Sequence, residues 1–344
     1  MADDNVSISA PLFHNGKYAN PESFGFRLPG FYDGFRAFVL TPDQGKQPKT
    51  VAEADATIPV VQPNFTVPQQ LQGRELQATW LGHATVLVQM DGVTFLTDPI
   101  WSERCSPSTF IGPKRYRPPP CSIEDLPHVD FVLISHNHYD HLDVATVKAL
   151  HKRFQPNIQW FVPMGLKHWL ESTGCTNVHE LTWDQSVVVP VRAFTDVSVC
   201  VRCLPARHWS NRTPFDAFKT LWASWMVTGA HHKFYFTGDS GFCREEFANI
   251  GRKYGPFQLA AIPIGCYEPR FFMQYAHMNV DEAVQVHELI RSQNSVGIHW
   301  ATFPMGCTEH YMAPKNRLTE LVKTELSNGT MFRTLNHGET WVIV

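Results

Sequence analysis

No stretch of this chain approaches the ~20 uninterrupted apolar residues that a membrane-spanning helix requires. That excludes a helical span and leaves a chain that is soluble or lies on a membrane surface. Charge of one sign is equally scarce. Lys and Arg number 29 against 32 Asp and Glu, a net charge of -3. Nucleic-acid binding through bulk positive charge is thereby excluded. The opening Met1-Ala2-Asp3-Asp4-Asn5 lacks the basic and apolar regions of a secretory signal. The chain is therefore read as intracellular, and its eight cysteines as free thiols rather than a disulfide framework. Cys200 and Cys203 are spaced like a metal knuckle, but Val197, Val199 and Val201 alternate around them. That alternation reads as a strand, on which residues three apart face opposite sides. No internal repeat of conventional length and no flavin-binding segment is visible.

What is present is enough apolar material for a substantial core: 43% of 344 residues. Residues 1–74 are rich in Pro, Gly, Asn and Gln and read as an N-terminal extension packing on the body or on a membrane. Within them Phe31–Leu40 is an apolar island, expected to pack on the body, and Pro42–Pro68 an irregular connector. Residues 75–344 read as the functional domain. Ala78–Met90 is β-prone, Asp91-Gly92 is a hairpin turn, and Val93–Leu96 returns. A long proline-bearing loop fills 102–128, and loops of that length usually serve function. About ten strands with interspersed helices follow from the remaining periodicity, with a helix expected at Pro314–Leu326 and a closing strand at Trp341–Val344. Two packed sheets with helices outside are predicted.

The densest chemistry is Ser135-His136-Asn137-His138-Tyr139-Asp140-His141-Leu142-Asp143. A buried strand, Val129–Ile134, precedes it. A helix follows, capped by Asp143, with Val144, Val147 and Leu150 at helical spacing. The cluster therefore sits where a strand's C-terminal end turns into a helix, a favoured ligand position in α/β sheets. His136 and His138 can chelate one ion, while Asp140 and His141 point elsewhere and can hold a second. Imidazole and carboxylate suit a zinc-like metal.

Three later strands share one feature: each ends in a residue able to bind metal. Val197–Leu204 leads to His208, Phe234–Phe236 to Asp239, and Ser295–Ile298 to His299. If the strand ends cluster, His208 completes the set begun by His136 and His138. His299 then completes that of Asp140 and His141, and Asp239 bridges the two. A position stays open for water, as catalysis needs. Asp98, also at a strand end, is expected to orient a ligand histidine or the bound water.

Taken together, His136, His138, Asp140, His141, His208, Asp239 and His299 resemble the ligand signature of the metallo-β-lactamase superfamily. Flanking stretches narrow the resemblance to its family of N-acylphosphatidylethanolamine-hydrolysing phospholipases D. These include Thr79-Trp80-Leu81-Gly82-His83-Ala84-Thr85, Phe95–Ile100, Gly112-Pro113-Lys114-Arg115, Ala260–Gly265 with Tyr267-Glu268-Pro269-Arg270, and Ile298-His299-Trp300. The resemblance implies an α+β fold, an αβ/βα four-layer sandwich of two mixed β-sheets. It implies two Zn2+ ions and a homodimeric, peripheral-membrane enzyme, on endomembranes. The implied reaction cuts N-acylphosphatidylethanolamine to N-acylethanolamine and phosphatidic acid by metal-activated hydroxide. It marks His277 as a phosphate-contacting histidine, beside Asp140 and Asp239 as catalytic candidates. Thr109-Phe110 and Ala276 stand where vertebrate members carry Gln-Tyr and Gln.

A lipid substrate implies membrane contact, for which Leu166 and Phe215 are candidates. Lys114, Arg115 and Arg117 are available to anionic headgroups. Three alternatives share the ligand set: a phosphodiesterase or lactonase for soluble substrates, a non-catalytic lipid-binding scaffold, and a di-iron redox protein.

Overall fold

The computed structural model describes residues 6–191, 198–324, 326 and 329–343. A small hairpin, β1 (Leu12–His14) and β2 (Lys17–Ala19), opens the chain. Its turn, Asn15-Gly16, takes positive φ at both residues, 52° and 75°. Asn-Gly tolerates that conformation better than other pairs. Two short helices follow, α1 (Phe31–Phe35), continued by a π-helical turn over Arg36–Leu40, and α2 (Val51–Thr57). The second corrects the expectation of an irregular connector. Thr50 caps it by accepting from Glu53 N at 3.1 Å, a signal readable in Thr50-Val-Ala-Glu53.

The first large sheet takes β3 (Leu76–Gly82), β4 (Thr85–Met90), β5 (Val93–Thr97), β6 (Phe131–Leu133), β7 (Gln159–Pro163) and β8 (Val178–Leu181). Helices α3 (Val144–Phe154) and α4 (Lys167–Ser172) connect its later strands. The second sheet takes β9 (Ser186–Pro190), β10 (Ser198–Leu204), β11 (Ser224–Thr228), β12 (Lys233–Phe236), β13 (Leu259–Pro263), β14 (Asn294–Ile298) and β15 (Met331–Arg333). Between these run α5 (Arg244–Lys253), α6 (Arg270–Met273), α7 (Val280–Leu289) and α8 (Ala313–Leu321). Finally β16 (Thr340–Val342) returns to pair with β3, giving the orders β16-β3-β4-β5-β6-β7-β8 and β9-β10-β11-β12-β13-β14-β15. Each sheet has three antiparallel pairings followed by three parallel ones. The chain is thus a topological duplicate that its sequence does not display as a repeat.

Strand alternation builds the four layers. Phe95, Phe131 and Phe161 of the first sheet face the second, where Phe95 meets Phe234 with ring centroids 5.4 Å apart. The intervening Leu96, Val132, Trp160 and Val162 face outward onto Val147, Leu150 and Leu170 of α3 and α4. Both faces are buried, so these strands read as continuous apolar runs. The other outer layer is α5, α7 and α8, whose Phe247, Ile250, Val286 and Leu318 complete the main core. This is the expected α+β four-layer sandwich.

Differences in detail have local causes. Val144 is exposed while Thr146 is buried, its Oγ1 donating to the capping Asp143 Oδ2 at 2.6 Å, so the first turn of α3 directs its threonine rather than its first valine inward. The edge strands β8, β9 and β15 lack strong apolar alternation, which hid them. The last helix ends at Leu321, and Val197 and Val344 lie outside the described residues. Residues 6–74 are tied to the body at several points. Tyr18 N donates to Phe218 O at 2.7 Å, Ser9 Oγ to Glu246 Oε2 at 2.7 Å, and Asn20 Nδ2 to His208 O at 2.8 Å. Phe31, Tyr32, Phe35, Val39 and Leu40 are nonetheless exposed, so the apolar island does not pack down as expected. Among the described residues no helix is long and apolar enough to cross a membrane.

One glycine fixes the outer layer. A Cβ on Gly251 of α5 would lie 2.0 Å from Leu289 O of α7. Gly251→Ala must therefore push two packed helices apart, an overpacking cost of about 2 kcal/mol or more. Urea denaturation should show a lower midpoint, while activity per folded molecule stays near the parent value.

Candidate metal centre

Five strand ends meet at one edge of the sandwich. β6 delivers His136 and His138. The turn after it, closed by His141 N and Leu142 N donating to His138 O at 3.1 and 2.9 Å, swings Asp140 and His141 to the other side. β10 leads to His208, β12 to Asp239 and β14 to His299. The approach is tight: a Cβ on Gly238, which has φ +60°, would stand 2.6 Å from Ser135 Cβ. The fifth end is the tight turn joining β3 to β4, which places His83.

The structure brings the seven candidate ligands together in two adjoining groups. His136 Nε2 lies 2.8 Å from His138 Nδ1, and His208 Nε2 lies 3.3 Å from the same atom. Asp140, His141 and His299 form the second group, together with His83. Asp239 Oδ2 stands between them, 3.2 Å from His141 Nε2, 3.1 Å from His299 Nε2 and 3.9 Å from His208 Nε2. His277 reaches the same oxygen, with Nδ1 at 3.8 Å.

Surrounding hydrogen bonds fix which ring atoms point inward. His208 Nδ1 donates to Ala276 O at 3.0 Å, and His141 Nδ1 to Asp98 Oδ2 at 2.6 Å. Asp98 also accepts from the backbone and side chain of Ser135. Asp98 thus holds the His141 ring and the first residue of the ligand turn together. Carboxylate support of a ligand imidazole sets its tautomer and raises its basicity. Replacing Asp98 by Asn should cost about 10–100-fold in metal affinity, read as a shift in the chelator concentration that strips the protein.

The electrostatics of the cluster call for positive charge. Asp98, Asp140 and Asp239 are buried at 0%, 7% and 3% exposure. Among the described residues, their ion-pair partners are histidines only. Burial would lower His141, yet Asp239, Asp140 and Asp98 outweigh it and hold the ring well above the usual histidine range. The same balance raises His299 to about 9. Three buried carboxylates demand positive charge, and a proton on these rings stands in for it. His141 Nε2, His299 Nε2 and Asp239 Oδ1 are buried without a hydrogen-bond partner. Such atoms, converging without Lys or Arg, fit divalent cations with nitrogen and oxygen ligands.

The sequence reading missed His83. Its Nε2 lies 2.9 Å from Asp140 Oδ2, and its backbone takes φ 52°. Burial, with His299 next, pulls its pKa down to about 3, so it meets Asp140 as a neutral donor. The signal available was its place in Gly82-His83, where a strand is interrupted.

The cluster floors a cavity of about 380 Å³. His138, Asp140 and His277 form the base, and Phe26, Leu28, Trp209, Phe272 and Met273 form apolar walls. Burial lowers the His277 pKa to about 4, so this ring is neutral. Of the two lipid-contact candidates, Leu166 is corrected: it is 2% exposed and packs in the core with Leu170 and Val162, on the turn opening α4. Phe215 is exposed. Arg115 is buried over Phe303 and bonded to Ile100 O and Ser102 O, so it braces the long loop rather than facing solvent.

Residues 94–300 match the family model of the beta-lactamase superfamily domain. Over 337 residues the chain is 47% identical to N-acyl-phosphatidylethanolamine-hydrolyzing phospholipase D 1 of Caenorhabditis elegans, spanning 95% of this chain and 93% of that protein. The chain belongs to this phospholipase D family. A mitochondrial member of the N-acyl-phosphatidylethanolamine-hydrolyzing phospholipases D, from Saccharomyces cerevisiae, is 33% identical over 249 residues, covering 71% of this chain and 51% of that protein. Among solved structures, a possible metal-dependent hydrolase from Veillonella parvula aligns with a TM-score of 0.59 at 18% identity, over 78% of this chain and 99% of that one. That likeness shows the fold. For a member of the beta-lactamase superfamily, the His/Asp cluster is the seat of a metal cofactor.

Proposed function

We propose that this protein hydrolyses the distal phosphodiester bond of N-acylphosphatidylethanolamine. Water supplies the oxygen that stays on phosphorus as phosphatidic acid, and N-acylethanolamine leaves with a proton on its hydroxyl. The observation that carries this reading is the near end-to-end match to a phospholipase D of that specificity. The cavity supports it, because its apolar walls rise directly from a polar floor.

Two zinc ions are the proposed cofactors, one held by His136, His138 and His208, the other by Asp140, His141 and His299, with Asp239 shared. Bound there, they would supply hydroxide near neutral pH and neutralise charge on the phosphodiester. The chain's own residues do the rest. Asp98 and His83 orient His141 and Asp140. Phe26, Leu28, Phe272 and Met273 receive acyl chain and exclude water, which strengthens every charge interaction at the floor. His277 is neutral, and its Nδ1 has no hydrogen-bond partner. Its position in the cavity lining supports a contact with phosphate or the leaving oxygen.

Peripheral attachment to an intracellular endomembrane belongs to the same proposal, with residues 1–74 contributing to it and Phe215 as a second contact. A homodimer is proposed on the family resemblance. The test is hydrolysis of N-acylphosphatidylethanolamine in mixed micelles, with metal content measured on the same sample. Release of N-acylethanolamine by protein carrying two zinc ions, lost on chelation and restored by zinc, is expected. A folded, two-metal sample that releases none, yet cleaves soluble phosphodiesters or lactones, would overturn the substrate.

A further inference from the structure

Arg207 stands immediately before His208 and has no part in the chemistry above. Its backbone is pinned to the turn that carries Asp239: Arg207 N donates to Ser240 Oγ at 2.9 Å, and Gly241 N donates to Arg207 O at 2.9 Å. From this anchor its side chain joins two segments remote in sequence. Nη1 donates to Phe24 O at 2.9 Å, and Nη2 donates to Gln274 O. Gly241 leaves the slot for the guanidinium, since a Cβ there would stand 2.4 Å from Arg207 Nε and 2.6 Å from Nη2. Both joined segments wall the cavity. Phe26, Arg27, Leu28 and Pro29 follow Phe24, and Tyr275, Ala276 and His277 follow Gln274. A guanidinium fork suits this task, because it is always charged and can serve two acceptors at once.

The two segments are not held equally. The His277 loop has other anchors: Ala276 O accepts from His208 Nδ1 at 3.0 Å, His277 O accepts from Arg270 Nη1 at 3.0 Å, and Met278 N donates to Ser240 O at 2.9 Å. Arg270 is itself fixed by both carboxylate oxygens of Glu282, at 2.9 and 2.8 Å. On the N-terminal side, Phe24 is buried beside Trp183, with ring centroids 5.9 Å apart, which fixes where the segment begins. Gly25 then turns the chain at φ 58°. Among the described residues, Phe24 O has one further donor, the Cys243 thiol, at 3.9 Å. Past the turn, Arg27 lies over the Tyr275 ring, 5.1 Å from its centroid, so the two walls also meet at the cavity itself.

We propose that Arg207 is a positioning residue for the substrate: its guanidinium clamps the N-terminal segment onto the His277 loop and so closes the apolar wall that receives the lipid tail. It acts through Phe26 and Leu28, not on the reacting bond. The N-terminal extension is thereby built into the site by the residue next to a candidate metal ligand. The kinetic consequence rests on the lipid reading above. Opening the clamp removes binding that a long-chain substrate makes equally before and during reaction, which raises KM and spares kcat. The chemical step is spared because His277 keeps its other anchors.

The test compares the full chain, loaded with zinc, with Arg207→Gln, whose neutral amide cannot hold both carbonyls. Limited trypsin digestion, mapped by mass spectrometry, reads the clamp directly through cleavage after Arg27. That cleavage should be faster in the variant by about 10-fold or more, the equivalent of one lost hydrogen bond to a charged group. KM for long-chain N-acylphosphatidylethanolamine in mixed micelles should rise by a similar factor, with kcat within about threefold of the parent and metal content unchanged. Phe26→Ala with Leu28→Ala should raise the same KM, and adding Arg207→Gln should then raise it little further, because all three act through one wall. Arg207→Lys keeps the charge and should recover part of the loss; it carries the same measurements should Arg207→Gln not fold. Three outcomes would overturn the proposal: cleavage after Arg27 at the parent rate, a fall in kcat at unchanged KM, which would make Arg207 a support of His277, or loss of metal, which would make it a support of His208. The trypsin digest needs no substrate, so a wrong substrate assignment and a wrong clamp are told apart.

Discussion

Asp239→Asn should reduce turnover by well over about 100-fold, the upper end of what is lost when mere outer partners of a metal ligand are removed. The reason lies in its position. One carboxylate oxygen faces His141, His299 and His208 at once, at 3.2, 3.1 and 3.9 Å. Its other oxygen is buried without a hydrogen-bond partner. His141 and His299 hold the carboxyl well below the usual range against burial, which alone would raise it. The group is therefore an anion facing histidines of both candidate sets, as the proposed shared ligand should. Asparagine keeps the volume and removes the charge. It also turns one inward atom into an N–H donor, aimed where only lone pairs are useful. Metal analysis of the variant should show incomplete loading, and circular dichroism should show an intact fold, because Asp239 belongs to the site and not to the core. A variant that keeps both its metal and its turnover would remove Asp239 from the shared position and separate the two halves of the site.

The same electrostatics explain how the site was legible before the structure. Residues able to bind metal are chemically distinctive and here fall densely at strand ends, so His136, His138, Asp140 and His141 stood out by spacing. His208, Asp239 and His299 stood out by following apolar β-prone runs. The sandwich was legible because its central strands are buried on both faces and read as continuous apolar segments. What escaped was weaker in kind. His83 sits on a tight turn with left-handed backbone, and nothing about a lone histidine separates a ligand's neighbour from a core residue. The edge strands β8, β9 and β15 carry only partial burial, and their pairing partners are what define them. Leu166 was misplaced for a related reason. An apolar residue beside Gly165 at a turn reads the same whether it faces lipid or core, and only the packing of Leu170 and Val162 against it decides.

The apolar island near the N-terminus is the reverse case, since the sequence pattern suggested burial and the structure exposes it. Phe31 is 95% and Tyr32 70% exposed, with Val39 and Leu40 beyond them. Contiguous apolar exposure of this kind marks an interaction surface. The segment just before it, Phe26 to Pro29, lines the cavity. Helix α1 meets α6, where the Gly34 position faces Phe272 of the cavity wall, and Arg36 lies over Phe271 with its guanidinium carbon 4.1 Å from the ring centroid. Phe110 and Ile111 are likewise exposed, close in sequence to Pro113 at the same cavity. The arrangement is an exposed apolar rim with an arginine among it, on segments adjoining those that line the cavity. On the membrane reading, Phe31 and Tyr32 enter the bilayer interface and the substrate passes from it along the rim. Fully burying one such ring is worth about 1.5–3 kcal/mol. Phe31→Ser with Tyr32→Ser should therefore cost at least about 3 kcal/mol of vesicle partitioning, a loss on the order of 100-fold. Because neither ring is packed in the core, stability and the turnover of a short-chain, monomeric substrate should hold near parent values. Loss of vesicle sedimentation together with the bilayer assay alone places the docking face on α1. Unchanged sedimentation rejects α1 as that face, whatever becomes of the chemistry at the floor of the cavity.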